Sequence, residues 1–205
     1  MSISKPFRKR ASGRRKAAPA REINAARYNL PPTVSRPTLL EGGSDRRFRR
    51  LIYDLLTIAS RMTVVREHLA SGMGITAPQF SLLLAIGQFQ AERGVGVTAV
   101  ARVLHVSSAF VATETGKLAR AGLLTKRANP KDRRAVLLSL TRAGRALIER
   151  HSNEIRSVND AFFGALARNT FAALCTTMAD LVHSSARAIA QLNRTESDSW
   201  REAAE

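Results

Sequence analysis

The sequence predicts a mainly α-helical fold with one small β-hairpin, and two observations lead to this prediction. Apolar residues recur at three- and four-residue spacings through four long segments, which is the period of an amphipathic helix. These segments lie at about 45–71, 76–92, 143–167 and 169–193. Two short apolar runs, at 123–126 and 135–140, flank the pair Asn129-Pro130, which signals a turn. With 205 residues and 44% hydrophobic residues, the chain can bury one core of ordinary size and carry an appendage.

Several classes of protein are disfavoured by what the sequence lacks. No stretch approaches the ~18 apolar residues of a membrane-spanning helix, so no membrane partner is expected. The single cysteine, Cys175, excludes an internal disulfide framework and fits the cytoplasm. The sequence contains no glycine-rich phosphate loop, nucleophile elbow or compact carboxylate constellation, so we expect neither an enzyme nor a cofactor. The four histidines lack metal-ligand spacing, so no metal is expected.

The net charge of +17 is distributed unevenly along the chain. Residues 1–50 carry +11 and residues 98–150 carry +8, whereas residues 51–97 are neutral and residues 151–205 carry −2. Charge that served only solubility would be spread over the surface. A basic tail and one basic internal segment are typical of a phosphate-binding footprint, so we expect double-stranded DNA as the partner, ahead of an anionic membrane.

Residues 1–44 are predicted to form a basic, mostly disordered N-terminal arm. They interleave arginine and lysine runs with five prolines, and no apolar period persists there. Three roles remain open for this segment. It is an arm that binds DNA phosphates without reading sequence, a solubilising extension, or an organelle transit peptide.

Two helices are predicted before the basic internal segment. The first runs over about 45–71, with Ser44 or Asp45 as its cap, and ends at Gly72. The second begins after a Thr76 cap, with a proline near its first turn. Its predicted inner face is formed by Phe80, Leu83, Leu84 and Ile86.

A helix-turn-helix is predicted in residues 97–121. A short helix at 97–104 is followed by a tight turn, and residues 107–121 form the second, DNA-recognition helix. Its predicted inward stripe is Val111, Thr115 and Leu118. The opposite face is small and polar, which lets a helix backbone approach the major groove closely. We expect DNA contacts from Ser107, Ser108, Ala109, Ala112, Thr113 and Lys117.

A wing is predicted after the recognition helix. The strands 123–126 and 135–140 are joined by a loop at 127–134 that is rich in cations. A strand pair with a cationic tip can insert an arginine into a narrow minor groove. We expect DNA contacts at this tip from Lys131, Asp132, Arg133 and Arg134.

The C-terminal helices, at about 143–193, are followed by a tail at 194–205. Together with the first helix, they carry more apolar surface than a small winged domain can cover. We therefore predict a homodimer, and two-fold symmetry then implies a pseudo-palindromic operator.

The run from Val97 through VARVLHVSSAFVATETGKLARAGLL to NPKDRRAVLLSLTRAGRALI resembles the MarR family of winged-helix repressors. The most specific element is the Asp-x-Arg of the wing, at Asp132 and Arg134, followed by a strand and Leu-Thr. The resemblance covers about 45–193 and implies a DNA-binding lobe at about 76–141. The chain departs from the family pattern at Ala112-Thr113, where Thr-Arg is common, and at Glu114, where an apolar residue is common. It lacks the reactive cysteine that the family's peroxide-sensing branch uses near the start of the first long helix, and we expect Cys175 to be a buried packing residue.

The resemblance also implies a small-molecule effector that binds between the dimerisation helices and the DNA-binding lobe. Candidate effector residues are Arg61, Arg66, His68, Phe80 and Leu84. An aromatic acid or an acyl-CoA thioester would suit this mixture of cationic and apolar side chains. The alternative is that the two arginines and the histidine face water on an amphipathic helix.

The predicted function is a sequence-specific transcriptional repressor released from its operator by that effector. The alternative is a sequence-tolerant architectural DNA-binding protein without small-molecule control, in which the basic arm supplies most of the affinity.

Overall fold

The computed structural model describes residues 30–130 and 132–202, apart from the side chains of residues 133 and 195–202. Most of the predicted arm (1–29), the wing residue Lys131 and the side chain of Arg133 therefore lie outside the described residues. Contacts divide the chain after Asp54 into two units.

The first unit contains a short 3-10 helix, Pro37–Leu39, and the start of helix α1 (Arg46–Gly72). Asp45, at the start of α1, is buried and accepts hydrogen bonds from the backbone nitrogen of Thr33 at 2.7 Å and from its hydroxyl at 2.8 Å. These bonds from Thr33 lower the pKa of Asp45, and Arg49 pairs with the same carboxylate at 3.0 Å. The arm was predicted to be mostly disordered up to residue 44. In the structure, however, the carboxylate of Asp45 anchors residues 33–44 through Thr33.

The second unit contains the end of α1 and a compact helical core. Helix α2 (Ala77–Phe89) begins with a reciprocal capping box, in which Thr76 caps the backbone of Gln79 and the Gln79 side chain accepts from the backbone of Thr76. Helices α3 (Val97–Leu104) and α4 (Ser108–Arg120) follow, and His105 makes the turn between them with a left-handed φ of 53°. The predicted inward stripe Val111, Thr115 and Leu118 is buried.

A three-stranded antiparallel sheet forms the wing, in the order β1-β3-β2. The strands are β1 (Val95–Gly96), β2 (Leu124–Asn129) and β3 (Asp132–Leu140). The hairpin strands are longer than predicted, because backbone pairing continues through Arg127↔Leu137 and Ala128↔Val136, where no apolar alternation marks a strand. Strand β1 was not predicted from sequence, because two residues are too few to show a period.

Two long helices complete the chain, α5 (Arg142–Phe163) and α6 (Arg168–Glu202). The hydroxyl of Thr141 accepts a hydrogen bond from the nitrogen of Gly144 at 3.0 Å and so caps α5. Helix α6 continues nine residues past its predicted end at 193. Every α6 side chain described is exposed in the single chain. The mainly α fold with long terminal helices and a small wing is confirmed.

No single described helix has both the length and the apolar composition to cross a bilayer, although α1 and α2 meet those two criteria as a bent pair.

Candidate DNA-binding surface and effector cavity

One exposed face of α4 carries the residues predicted to read DNA. Ser107 caps the helix by accepting a hydrogen bond from the backbone nitrogen of Phe110 at 3.1 Å. Each of the remaining predicted residues has another of them four positions along the helix, which brings these pairs together on its surface. All of them are exposed: Ser108, Ala109, Ala112, Thr113 and Lys117. The structure thus offers a helix face with little side-chain bulk at its N-terminal end, which suits close approach to a groove.

Lys117 is already engaged within the protein. Its Nζ lies 2.6 Å from Oε1 of Glu114, one helical turn earlier. The hydrogen bond from Lys117 is the main cause of a lowered pKa at Glu114, with burial opposing it. Half of the Lys117 side chain remains exposed. Lys117 therefore neutralises a carboxylate of the recognition helix as well as bordering the DNA-facing surface.

Glu114 does not lie on the base-reading face. It is 8% exposed and accepts a hydrogen bond from Nε2 of Gln79 in α2, at 3.1 Å. The sequence analysis missed this pair, although Glu114 lies three residues after Val111 and four before Leu118, in the inward stripe. The departure from the family pattern at this position places a buried carboxylate under the recognition helix, paired with the half-exposed Lys117.

The wing tip is shaped by Asp132. Its Oδ1 accepts a hydrogen bond from the backbone nitrogen of Arg134 at 3.0 Å, the local turn typical of aspartate. Arg134 is exposed, and the structure shows no carboxylate partner for it among the described residues. Asp132 thus fixes the backbone of Arg134 and leaves its guanidinium free to reach outward.

A lysine of the wing contacts the recognition helix. Nζ of Lys126 lies 3.2 Å from the carbonyl oxygen of Ala112 and 3.5 Å from the hydroxyl of Thr115. The sequence analysis did not single out Lys126. Because it ties strand β2 to α4, the wing and the recognition helix are held in one arrangement.

A cavity of about 200 Å³ lies between the second half of α1, α2 and α5; we call it the effector cavity. It brings together three of the five predicted effector residues, Arg66, Phe80 and Leu84. The other lining residues are mostly apolar: Met62, Val65, Leu69, Ile155, Asn159, Phe162 and Phe163.

Arg66 supplies the only cation of the cavity lining. Its Nη2 donates to the carbonyl oxygen of Ala77, the first residue of α2, at 3.4 Å. Its Nε is buried and has no hydrogen-bond partner in the described part of the chain. A buried N–H without a partner costs about 1–3 kcal/mol, so this atom favours a ligand that brings an acceptor.

Arg61 and His68 do not line the effector cavity. Each is next in sequence to a lining residue and is therefore rotated by about 100° from it around α1. His68 instead contacts Glu154 of α5, with 3.3 Å between Nε2 and Oε1, and His151 lies 3.6 Å from the other oxygen of Glu154. This cavity therefore gives no support to the prediction that Arg61 and His68 hold the effector.

Two further expectations concern metals and the cysteine. The described residues contain no group of three or more His, Cys, Asp or Glu side chains positioned for a metal ion. Cys175 is exposed in the single chain, contrary to the expectation of a buried thiol. The apolar face of α6 on which it was placed is not covered by any part of the chain that the structure describes.

Comparisons with known proteins agree with this architecture. Residues 73–135 match the model of the MarR family. The HTH-type transcriptional repressor YetL of Bacillus subtilis is 27% identical over 116 residues, which cover 55% of this chain and 69% of YetL. The regulator PcaV from Streptomyces coelicolor, solved with its natural ligand, is 26% identical, with a TM-score of 0.51 over 62% of this chain and 90% of PcaV. The DNA complex of MepR from S. aureus shares the fold, with 18% identity and a TM-score of 0.56 over 64% of this chain and 96% of MepR.

Proposed function

Since this chain belongs to the MarR family of transcriptional regulators through the lobe that residues 73–135 form, we propose that it is a ligand-controlled repressor. In this proposal it binds a pseudo-palindromic operator as a homodimer, and an aromatic carboxylate releases it. The family consists of transcriptional regulators and not of enzymes. Because its partner is DNA, we place its action in the cytoplasm.

The observation that supports operator binding is the joint presentation of a base-reading helix and a cationic wing tip. The exposed face of α4 offers hydroxyls and alanines for the major groove. Arg134 is exposed on the wing, whose strand β2 contacts α4. The charge of +8 over residues 98–150 attracts phosphate without selecting sequence. Base contacts from Ser108 and Thr113 supply the selection.

The dimer in this proposal rests on α6. Its apolar side chains are exposed in the single chain, and a second copy can cover them across a two-fold axis. Such a dimer places two recognition helices one turn of DNA, about 34 Å, apart. Operator half-sites would have the same separation.

The effector is inferred from the volume and chemistry of its cavity. A cavity of about 150 Å³ is enough to hold benzene in an engineered protein, so 200 Å³ suits a single ring with one carboxylate. The buried Nε of Arg66 can donate to that carboxylate while phenylalanines contact the ring. A whole acyl-CoA thioester is too large for this volume. The ligand-bound structure of the relative PcaV supports ligand control in general.

Release from DNA follows from which elements the effector touches. The effector cavity is walled by α1 and α5, which belong to the predicted dimerisation region, and by α2 of the DNA-binding lobe. A ligand held by all three favours the lobe spacing that fits it best. If that spacing differs from the one that fits the operator, ligand and DNA weaken each other's binding by the same factor.

The DNA-binding proposal is tested by selecting sites from random duplexes and measuring binding by fluorescence anisotropy. A specific repressor should prefer the selected palindrome over random duplex by roughly 10³-fold or more at physiological salt. Equal affinities would contradict it and favour the sequence-tolerant architectural protein.

The effector proposal is tested with benzoate and 4-hydroxybenzoate, and with benzamide as a neutral analogue of the same shape. We expect the acids, but not benzamide, to raise the melting temperature and to weaken operator binding. Arg66→Ala should remove both effects. Arg61→Ala, on the same helix but outside the cavity, is the matched control and should retain them. Release that persists in Arg66→Ala would rule out the cavity as the effector site.

A further inference from the structure

A second and larger cavity, of about 940 Å³, is bounded on one side by the wing sheet. We call this cavity the outer groove. The end of α2 and the loop after it, strands β2 and β3, and the start of α5 form its walls. The sheet contributes Thr125, Arg127, Ser139 and Leu140. Ser139 alternates with the buried Leu138 and Leu140, and Thr125 follows the buried Leu124. Its volume is in the upper part of the range of small-molecule sites, about 300–1,000 Å³.

Four arginines from three parts of the chain line the outer groove. Arg93 comes from the loop after α2, Arg127 from β2, and Arg142 and Arg145 from the first two turns of α5. None of the four takes part in an ion pair found among the described residues. Unpaired guanidinium groups that converge on one cavity are suited to bidentate binding of phosphate oxygens.

The outer groove also contains acceptors. Glu92 and Glu149 line it, and neither forms an ion pair within the described part of the chain. These carboxylates repel a continuous polyanion such as the DNA backbone. They can, however, accept hydrogen bonds from hydroxyl or amino groups at the far end of a ligand whose other end is a phosphate.

From this lining we propose that the outer groove binds a nucleoside phosphate. The phosphate lies against the arginines of α5 and β2, and the sugar hydroxyls or base amino groups lie against the glutamates. Such a ligand matches both the volume and the mixed charge of the groove, whereas a simple inorganic anion uses neither the volume nor the acceptors.

The outer groove adjoins the effector cavity through Leu84, which lines both. Both cavities also have walls from α2 and α5. A nucleotide in the outer groove therefore contacts the same two helices that the effector contacts. We expect occupancy of one site to change the affinity of the other, by an equal factor in each direction.

The test is calorimetric titration of the full chain, without DNA, with AMP, ADP and coenzyme A, and with adenosine as the uncharged control. We expect at least one nucleotide to bind saturably with a Kd below ~1 mM, and adenosine not to bind. Low ionic strength is used because the arginines are exposed and salt screens them.

Variants locate the site. The double variant Arg142→Ala with Arg145→Ala should weaken nucleotide binding by about tenfold or more, which is 1.4 kcal/mol or more. The pair Arg150→Ala with Arg156→Ala removes the same charge from α5 outside the groove and should change nucleotide binding little.

Glu149→Gln should weaken ADP binding but not pyrophosphate binding. Arg93→Ala, in a loop, tests the site without changing a helix.

Three results would overturn the nucleotide site. The first is no saturable binding of any of the three nucleotides up to ~5 mM. The second is binding that is lost in Arg66→Ala and not in the groove variants, which would place the nucleotide in the effector cavity. The third is a groove double variant that binds random duplex more weakly but nucleotides unchanged, which would make the groove a DNA-phosphate surface. Operator preference is measured separately, so failure of this site leaves the proposed repressor function standing.

Discussion

Gln79 of α2 donates a hydrogen bond to Glu114 of α4, with 3.1 Å between Nε2 and Oε2, and both side chains are buried. The same glutamine accepts from the backbone nitrogen of Thr76 at 3.2 Å and so completes the cap of α2. Its sequence neighbour Phe80 lines the effector cavity. One side chain therefore joins the start of a helix that lines the proposed effector cavity to the recognition helix.

We expect Gln79→Ala to lower the free energy of unfolding by about 1–3 kcal/mol. The substitution leaves a buried carboxylate oxygen without its donor, and that oxygen must then be desolvated without compensation. It also removes half of the capping box of α2. Urea denaturation measures the change, and Gln88→Ala, an exposed glutamine on the same helix, should shift the midpoint little. Equal stability of Gln79→Ala and wild type would show that the hydrogen bond contributes nothing.

The same pair predicts how stability depends on pH. The hydrogen bond from Lys117 lowers the pKa of Glu114 most, and the one from Gln79 lowers it further, against the effect of burial. A carboxyl with a lower pKa in the folded chain contributes stability that is fully present above its unfolded pKa and is lost as pH falls through its folded pKa.

We therefore compare wild type with Glu114→Gln, which mimics the protonated acid. The advantage of wild type in free energy of unfolding should be largest above about pH 5 and should shrink as pH falls below about 4.3. Urea midpoints between neutral pH and about pH 3 measure it. Glu149→Gln, at an exposed carboxyl of α5, serves as the control. An advantage that stayed constant into acid would contradict the assignment.

We expect the wing tip to contribute to DNA binding independently of the recognition helix. Arg134→Ala should weaken operator binding by about 1–3 kcal/mol if its guanidinium enters the minor groove. Asp132→Ala removes the acceptor that fixes the backbone nitrogen of Arg134, so we expect a smaller loss in the same direction. Fluorescence anisotropy on one operator measures both, and Arg150→Ala on α5 controls for the loss of one positive charge. Unchanged affinity in Arg134→Ala would exclude this arginine from the interface.

The recognition helix itself predicts a change in sequence preference more than in affinity. Thr113→Ala and Ser108→Ala remove hydroxyls from the exposed face of α4 and should alter the ranking of operator variants. Binding to random duplex should stay the same, because phosphate contacts are retained. A uniform loss over all sequences would mean that these hydroxyls contact the backbone.

The helix-turn-helix was predictable from sequence because its signals are local. Ser107 as a cap, Gly122 after the helix and the stripe from Val111 to Leu118 each act within a few residues of one another. Strand β1 was not, since its two residues are defined only by pairing with Leu137 and Leu138, more than forty residues away.

Three of the five predicted effector residues line the effector cavity, and the other two do not for a geometric reason. The helical period of α1 correctly indicated that Arg66 faces the cavity. Arg61 and His68 were also predicted to face it, but each lies next in sequence to a lining residue and does not line the cavity itself. Charge alone could not separate them, because the packing of α5 decides which side of α1 is enclosed. Glu114 was left out of the predicted inward stripe, and its burial is explained by its partner Gln79 in another helix.

The final prediction concerns the dimer. Phe171, Leu181 and Ile189 are 57%, 44% and 58% exposed in the single chain, which is too much apolar surface on one face of α6 to be left in water. We expect Leu181→Glu and Ile189→Glu each to produce monomers in sedimentation at micromolar concentration. Thr176→Glu adds the same charge on the opposite side of α6 by helical spacing and is the matched control. Because one monomer offers a single recognition helix, the disrupted variants should lose operator affinity steeply but keep their weaker binding to random duplex. A wild-type protein that sediments as a monomer, or charged variants that stay dimeric, would overturn the assignment of α6 to the dimer interface.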